Sequence, residues 1–255
     1  DVIESRGLGD VYKRQALTYL WHRRFNLASQ PSAMRALKSA LVILLPLFLC
    51  LSTKGAHIIG GELSYECLGG DNYRVTLKVY RDCNSGGAFF DDPLVVYAYS
   101  TSGLLVESIS IPLPGFQQVP PDLSNPCLIA PPNVCVEEAI YVATVYLPPI
   151  SGGYNLVYQR CCRNATIANL VTPDEMGATY MAHIPDQGVV SCNSSPSFDA
   201  FPPIVICANE PINFDHVATD PDGDSLVYSL CTPLNGGSQL DPLPTPAPPP
   251  PYGNI

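Results

Sequence analysis

Nine cysteines between Cys67 and Cys231, lying downstream of a short basic segment and an apolar run, constrain this chain more than any other feature. After Met34, Arg35 and Lys38 give a basic n-region and Ala40 to Leu51 an apolar core. That is the layout of a secretory signal, with cleavage near Gly55 or Ala56. The run is shorter than the roughly 20 residues a membrane span needs, it contains Pro46, and Ser52, Thr53 and Lys54 follow at once. Lipidation at Cys50 is disfavoured because bulky Leu49 precedes it. In an exported chain Cys67, Cys83, Cys127, Cys135, Cys161, Cys162, Cys192, Cys207 and Cys231 are expected as disulfides. Zinc binding would need short paired spacings such as C-x2-C, which do not occur. The count is odd, so one thiol is free or has its mate beyond Ile255.

Asp10 to Gln15 resembles the translated end of a transposon used to prepare sequencing libraries, so residues 1–15 are expected to be an artefact. Residues 16–33 read as untranslated upstream sequence and 34–56 as the signal peptide. From residue 57 the chain holds five basic and 20 acidic residues, a balance of −15. Such a charge repels phosphate backbones and anionic headgroups, which excludes nucleic acid as a partner class and leaves no membrane insertion after signal cleavage. Cations are the favoured partners.

From residue 57 onward β-branched and aromatic residues alternate with polar ones between Gly and Pro punctuation, the mark of half-buried strands. Glu62 to Cys67 and Tyr73 to Val79 flank Leu68-Gly69-Gly70-Asp71 and predict a hairpin. Further strands are expected at Leu94 to Tyr99, Leu104 to Ile111, Ala139 to Leu147, Tyr154 to Arg160 and Thr179 to Ile184. No helix is expected. Strands without crossover helices predict an all-β, antiparallel β-sandwich of Ig-like or Greek-key type over 57–200. The proline-rich stretch Gln117 to Cys135 reads as a long surface loop that a Cys127–Cys135 bridge would close. Adjacent Cys161 and Cys162 are expected to point to opposite faces and not to bond to each other. One would staple the core and the other a loop, with Cys83 and Cys192 among the candidate mates.

A second, incomplete Ig-like or cadherin-like β domain is expected over 201–240, with strands at Ile204 to Cys207, Ile212 to His216 and Ser225 to Cys231 and a Cys207–Cys231 tie. Residues 241–255, seven prolines within Asp241 to Tyr252, read as a linker or loop in a truncated chain.

Asp220, Asp222 and Asp224, in the turn Thr219 to Ser225, are candidate calcium ligands. Carboxylates at alternate positions of a turn bent by Pro221 and Gly223 offer several hard oxygens to one small volume, and Asp, Pro and Gly also favour plain turns. A second acidic group, Asp82 with Asp91 and Asp92, reads as a polar turn. No G-x-S-x-G, H-E-x-x-H, P-loop or G-x-G-x-x-G motif is present, and the chain is expected not to be an enzyme. His183 and His216 read as structural residues in strands. Tyr141, Tyr146, Tyr154 and Tyr158 read as core and sheet-face residues, with a flat sugar-binding patch as the alternative.

His57 to Tyr65, Val75 to Cys83, Val157 to Asn164 and Ala218 to Tyr228 together resemble the opening region of large gliding-motility-associated bacterial surface proteins. The resemblance implies a signal peptide, PKD-like or cadherin-like repeats and export by the type IX secretion system. It also implies a place at the cell surface, associated with the outer membrane. The expected function is a non-catalytic adhesion or scaffold module, stabilised by disulfides and calcium, whose ligand is a surface polysaccharide or protein. The competing expectation is a carbohydrate-recognition module attached to a larger secreted enzyme.

Overall fold

The computed structural model describes residues 58–84, 86–121, 129, 132–207, 209, 211 and 213–255. The expected signal peptide, the segments before it and Cys127 lie outside the described residues. Ten strands form, and the one helical turn among the described residues is a 3-10 turn at Pro173–Glu175. The strands are β1 (Ile58–Gly69), β2 (Asn72–Asp82), β3 (Leu94–Ser100), β4 (Leu105–Ile111), β5 (Gln117–Val119), β6 (Val136–Tyr146), β7 (Tyr154–Arg160), β8 (Ala178–Ile184), β9 (Ser197–Phe198) and β10 (Ala218–Thr219).

Two four-stranded antiparallel sheets, ordered β1-β2-β6-β5 and β4-β3-β7-β8, pack face to face as a β-sandwich. The first hairpin arises as its residues dictate. Gly70 and Asp71 between Gly69 and Asn72 both take positive φ, 58° and 62°, as a type I′ turn requires. Alternation then sends Tyr73, Val75, Leu77 and Val79 inward, where Val75 faces Ala143, Leu77 faces Tyr141 and Val79 faces Ala139 across the β2/β6 ladder. Leu94, Val96 and Ala98 of β3 and Leu156 and Tyr158 of β7 close the same core from the other sheet. Burying each such aliphatic side chain contributes about 1.5–3 kcal/mol.

The expected strand at Leu104 to Ile111 begins one residue later, and that at Ala139 to Leu147 runs from Val136 to Tyr146. Within the expected long loop, Gln117–Val119 pairs with β6 as an edge strand. Its short polar sequence carries no alternation long enough to reveal it.

The bridges differ from those expected. Cys67 is bonded to Cys192, Cys83 to Cys135, and Cys161 to its neighbour Cys162. Cys135 therefore does not close a loop with Cys127; it lies beside Cys83 because Asp82 and Val136 are partners in the β2/β6 ladder. The expectation that Cys161 and Cys162 face apart holds for a trans strand, but their peptide is cis and their Cα atoms are 3.0 Å apart. Cys207 is disulfide-bonded while Cys231 is a free, exposed thiol, so the expected Cys207–Cys231 tie is absent.

The three strands expected after residue 201 do not form among the described residues; the chain there is irregular except for β10, which pairs with β9. Alternating apolar residues are present, but among the described residues no strand pairs with them. The closing prolines form a loop laid over the outer face of the second sheet. Ala247 is buried against Tyr97, Tyr99 and Val157, and the Cys161 amide donates to Pro242 O at 2.8 Å. No helix among the described residues is long and apolar enough to cross a membrane.

Candidate functional site

Two features stand outside the core, and both adjoin the segment that covers the edge of β1. Residues 192–198 run along that edge. The Ser195 amide donates to Tyr65 O at 2.8 Å, the Cys67 amide to Ser194 Oγ at 3.2 Å, and the Phe198 amide to Glu62 Oε1 at 2.8 Å. An edge strand left bare offers unpaired amides to other chains, and this cover removes them.

The aspartate turn is the first feature. Asp220 Oδ1 accepts from the Asp222 and Asp224 amides at 2.8 and 3.3 Å, which folds the turn around its own carboxylate. Gly223, at φ 79°, supplies the left-handed step. The result brings Asp220, Asp222 and Asp224 together, with one carboxylate oxygen from each within 4.8 Å of the others. Asp222 also holds the edge cover, accepting from the Ser194 amide at 2.5 Å and from Ser194 Oγ at 3.4 Å.

A groove of about 520 Å³ over the outer face of β1 and β2 is the second. Tyr80 projects outward from β2, and Phe201 lies on its ring with centroids 4.1 Å apart. Phe198 and His216 also line it. Lys78 pairs with Glu62 at 2.9 Å, whereas Glu138 receives only neutral donors, Tyr80 Oη at 2.9 Å and Gln117 Nε2 at 2.8 Å. The Asp199 carboxylate, exposed at the rim, makes no hydrogen bond or ion pair with another described residue. Burial, then the hydrogen bond to Glu138 and its charge, push the Tyr80 phenol well above its ordinary range, so it stays a donor.

The second acidic group is structural. Asp91 pairs with Arg160 at 3.0 Å, Asp92 accepts from the Leu113 amide, and Asp82 accepts from the Asn84 amide and Asn164 Nδ2. Tyr141, Tyr154 and Tyr158 are buried in the core and Tyr146 alone of the four is exposed, so they form no flat patch. His183, in β8, meets Asn155 Oδ1 at 3.0 Å. His216 is not in a strand; it stacks edge-on against Phe214.

The groove was not among the sequence expectations. Its one local signal is Tyr80, an aromatic on the polar side of the β2 alternation. Comparison with protein-family models, with curated protein sequences and with solved structures returned no match.

Proposed function

We propose that this chain is an exported, non-catalytic module of a large gliding-motility-associated bacterial surface protein, acting in adhesion or as a scaffold. The observation that carries the reading is the set of bridges. Cys67–Cys192 ties β1 to the segment that covers its edge and Cys83–Cys135 joins the adjoining ends of β2 and β6, and such staples persist where the surroundings are oxidising. The basic-then-apolar segment before them and the resemblance of four stretches to that family support the same assignment. Labelling of intact cells with a membrane-impermeant amine reagent tests it. The protein is expected among the labelled surface proteins, and its recovery only from the cytoplasmic fraction with an uncleaved leader overturns the proposal.

Calcium at Asp220, Asp222 and Asp224 belongs to this reading. The donor set fits a hard cation: three carboxylates converge, and each oxygen keeps acceptor capacity beyond the hydrogen bonds it receives. Bound calcium would brace the turn that holds Ser194 and through it the edge cover. Titration calorimetry with calcium, alongside Asp224→Asn, is the check. Asp224 is the better control because Asp222 also accepts from Ser194. Heat in the wild-type protein that Asp224→Asn abolishes is expected; no heat removes calcium from the account.

A further inference from the structure

We infer that the groove over β1 and β2 seats an extended segment of another protein through an arginine side chain. This deepens the adhesive reading above and rests on it only in supposing that the partner is met outside the cell.

Of the carboxylates at the groove, Glu62 is neutralised by Lys78, but Glu138 and Asp199 pair with no cation among the described residues. Two uncompensated negative charges in one furrow repel anionic ligands, sulfated or phosphorylated ones included, and attract a cation. The same groove is lined by the rings of Tyr80, Phe201 and the exposed Phe198, and a guanidinium over an aromatic face gains further by cation–π attraction. The protein already uses this chemistry one position along. Arg81 stands 4.6 Å from the centroid of Phe89 while its Nε donates to Glu137 at 2.7 Å. Glu138, the next residue, has the carboxylate and nearby rings without the arginine.

Size and continuity decide between a small cation and a polypeptide. The volume of about 520 Å³ suits a ligand larger than one side chain. A second hollow of about 290 Å³ shares Phe198 and His216 with the groove and is bordered by Tyr228 and Leu230, and Leu230 is fully exposed. An acidic, aromatic pocket followed by an apolar one matches an extended chain with a basic residue and then an apolar one. A polyamine has nothing to place in the second hollow.

The test uses the purified, oxidised protein and three probes in titration calorimetry: a short capped peptide with arginine followed two residues later by leucine, the same peptide with neutral citrulline for arginine, and spermidine. The arginine peptide is expected to bind at least about tenfold tighter than the citrulline peptide, a difference of about 1.4 kcal/mol, and to weaken with added salt. Glu138→Gln with Asp199→Asn is expected to lower its affinity about tenfold or more. Should that pair fail to fold by circular dichroism, Asp199→Asn with Phe198→Ala replaces it. Equal binding of the citrulline peptide, unchanged binding by the variants, spermidine binding as tightly as the peptide, or no binding at millimolar concentration each overturns the inference. A neutral glycan that binds in a glycan array and protects the groove would overturn it too. None of these results touches cell-surface location, so the two proposals fail separately.

Discussion

Replacing Arg160 with methionine tests the core most sharply. Arg160 lies at the end of β7 and its Nη2 is 3.0 Å from Asp91 Oδ1, with side chains 10% and 8% exposed. Tyr158 Oη donates to Asp91 Oδ2 at 2.7 Å, and Tyr141 Oη donates to the Asp91 carbonyl at 2.8 Å. Burial first, and then the Asp91 charge, hold the Tyr158 phenol far above its usual range, so it remains a donor and cannot replace the lost cation. Arg160→Met leaves a buried carboxylate with one neutral partner, at a cost of about 3–5 kcal/mol. For a domain of this size that lowers the melting temperature by about 6–20 °C. The double variant Asp91→Asn, Arg160→Met removes both charges while the amide oxygen still accepts from Tyr158, and is expected to recover at least about 2 kcal/mol of the loss. Urea unfolding followed by far-ultraviolet circular dichroism, with the bridges intact, measures all four corners of the cycle. If Arg160→Met costs less than about 1 kcal/mol, the pair behaves as an exposed one and the argument from burial is wrong.

Three further outcomes follow from named contacts. Gly153 sits at φ 73°, and a Cβ there would lie 2.0 Å from Ile184 O, so Gly153→Ala is expected to lower the urea midpoint clearly, while an unchanged midpoint would deny the close approach. Burial raises the phenols of Tyr141, Tyr158 and Tyr180, the last to about 12, above the ordinary value near 10. Their contribution is complete below pH 10 and is lost as pH rises through the folded values, so thermal stability should hold from pH 7 to 9 and fall between about pH 10 and 12 while a late phase of tyrosinate absorbance rises. Exposed tyrosines ionise near pH 10, so complete tyrosinate formation by about pH 10 in the folded protein, with no later phase, would contradict the burial of Tyr141, Tyr158 and Tyr180. Cys67→Ser with Cys192→Ser opens a bridge of sequence separation 125, for which loop-closure entropy predicts a loss of about 4–5 kcal/mol in denaturant titrations. A loss under about 1 kcal/mol would mean the unfolded chain is not restrained by it.

The strands of the sandwich were legible because each carries its instruction locally. Tyr73, Val75, Leu77 and Val79 alternate with polar residues, and Gly70-Asp71 specifies the turn before them. The bridges were not, since pairing depends on which ladders form: Cys83 meets Cys135 only because β2 lies beside β6. The Cys161–Cys162 bond runs against the expectation that the two face apart, because alternation assumes a trans peptide. Between residues 204 and 231 the apolar alternation was visible, but a strand also needs a neighbour for its amides, and local pattern does not supply one. The aspartate turn could be located from Pro221 and Gly223 alone. Its hold on Ser194, 28 residues back, could not. The groove joins Tyr80 of one strand to Phe198, Phe201 and His216 more than a hundred residues later, and only the fold brings them together.

Among the described cysteines all but Cys231 are disulfide-bonded, which makes the sandwich one that is stapled by oxidation. Peptide mapping of the natural protein by mass spectrometry, after alkylation without reduction, reads it most directly. Crosslinked peptides joining Cys67 to Cys192 and Cys83 to Cys135, with Cys231 alkylated, are the predicted result. Full alkylation of Cys67, Cys83, Cys135 and Cys192 would contradict it.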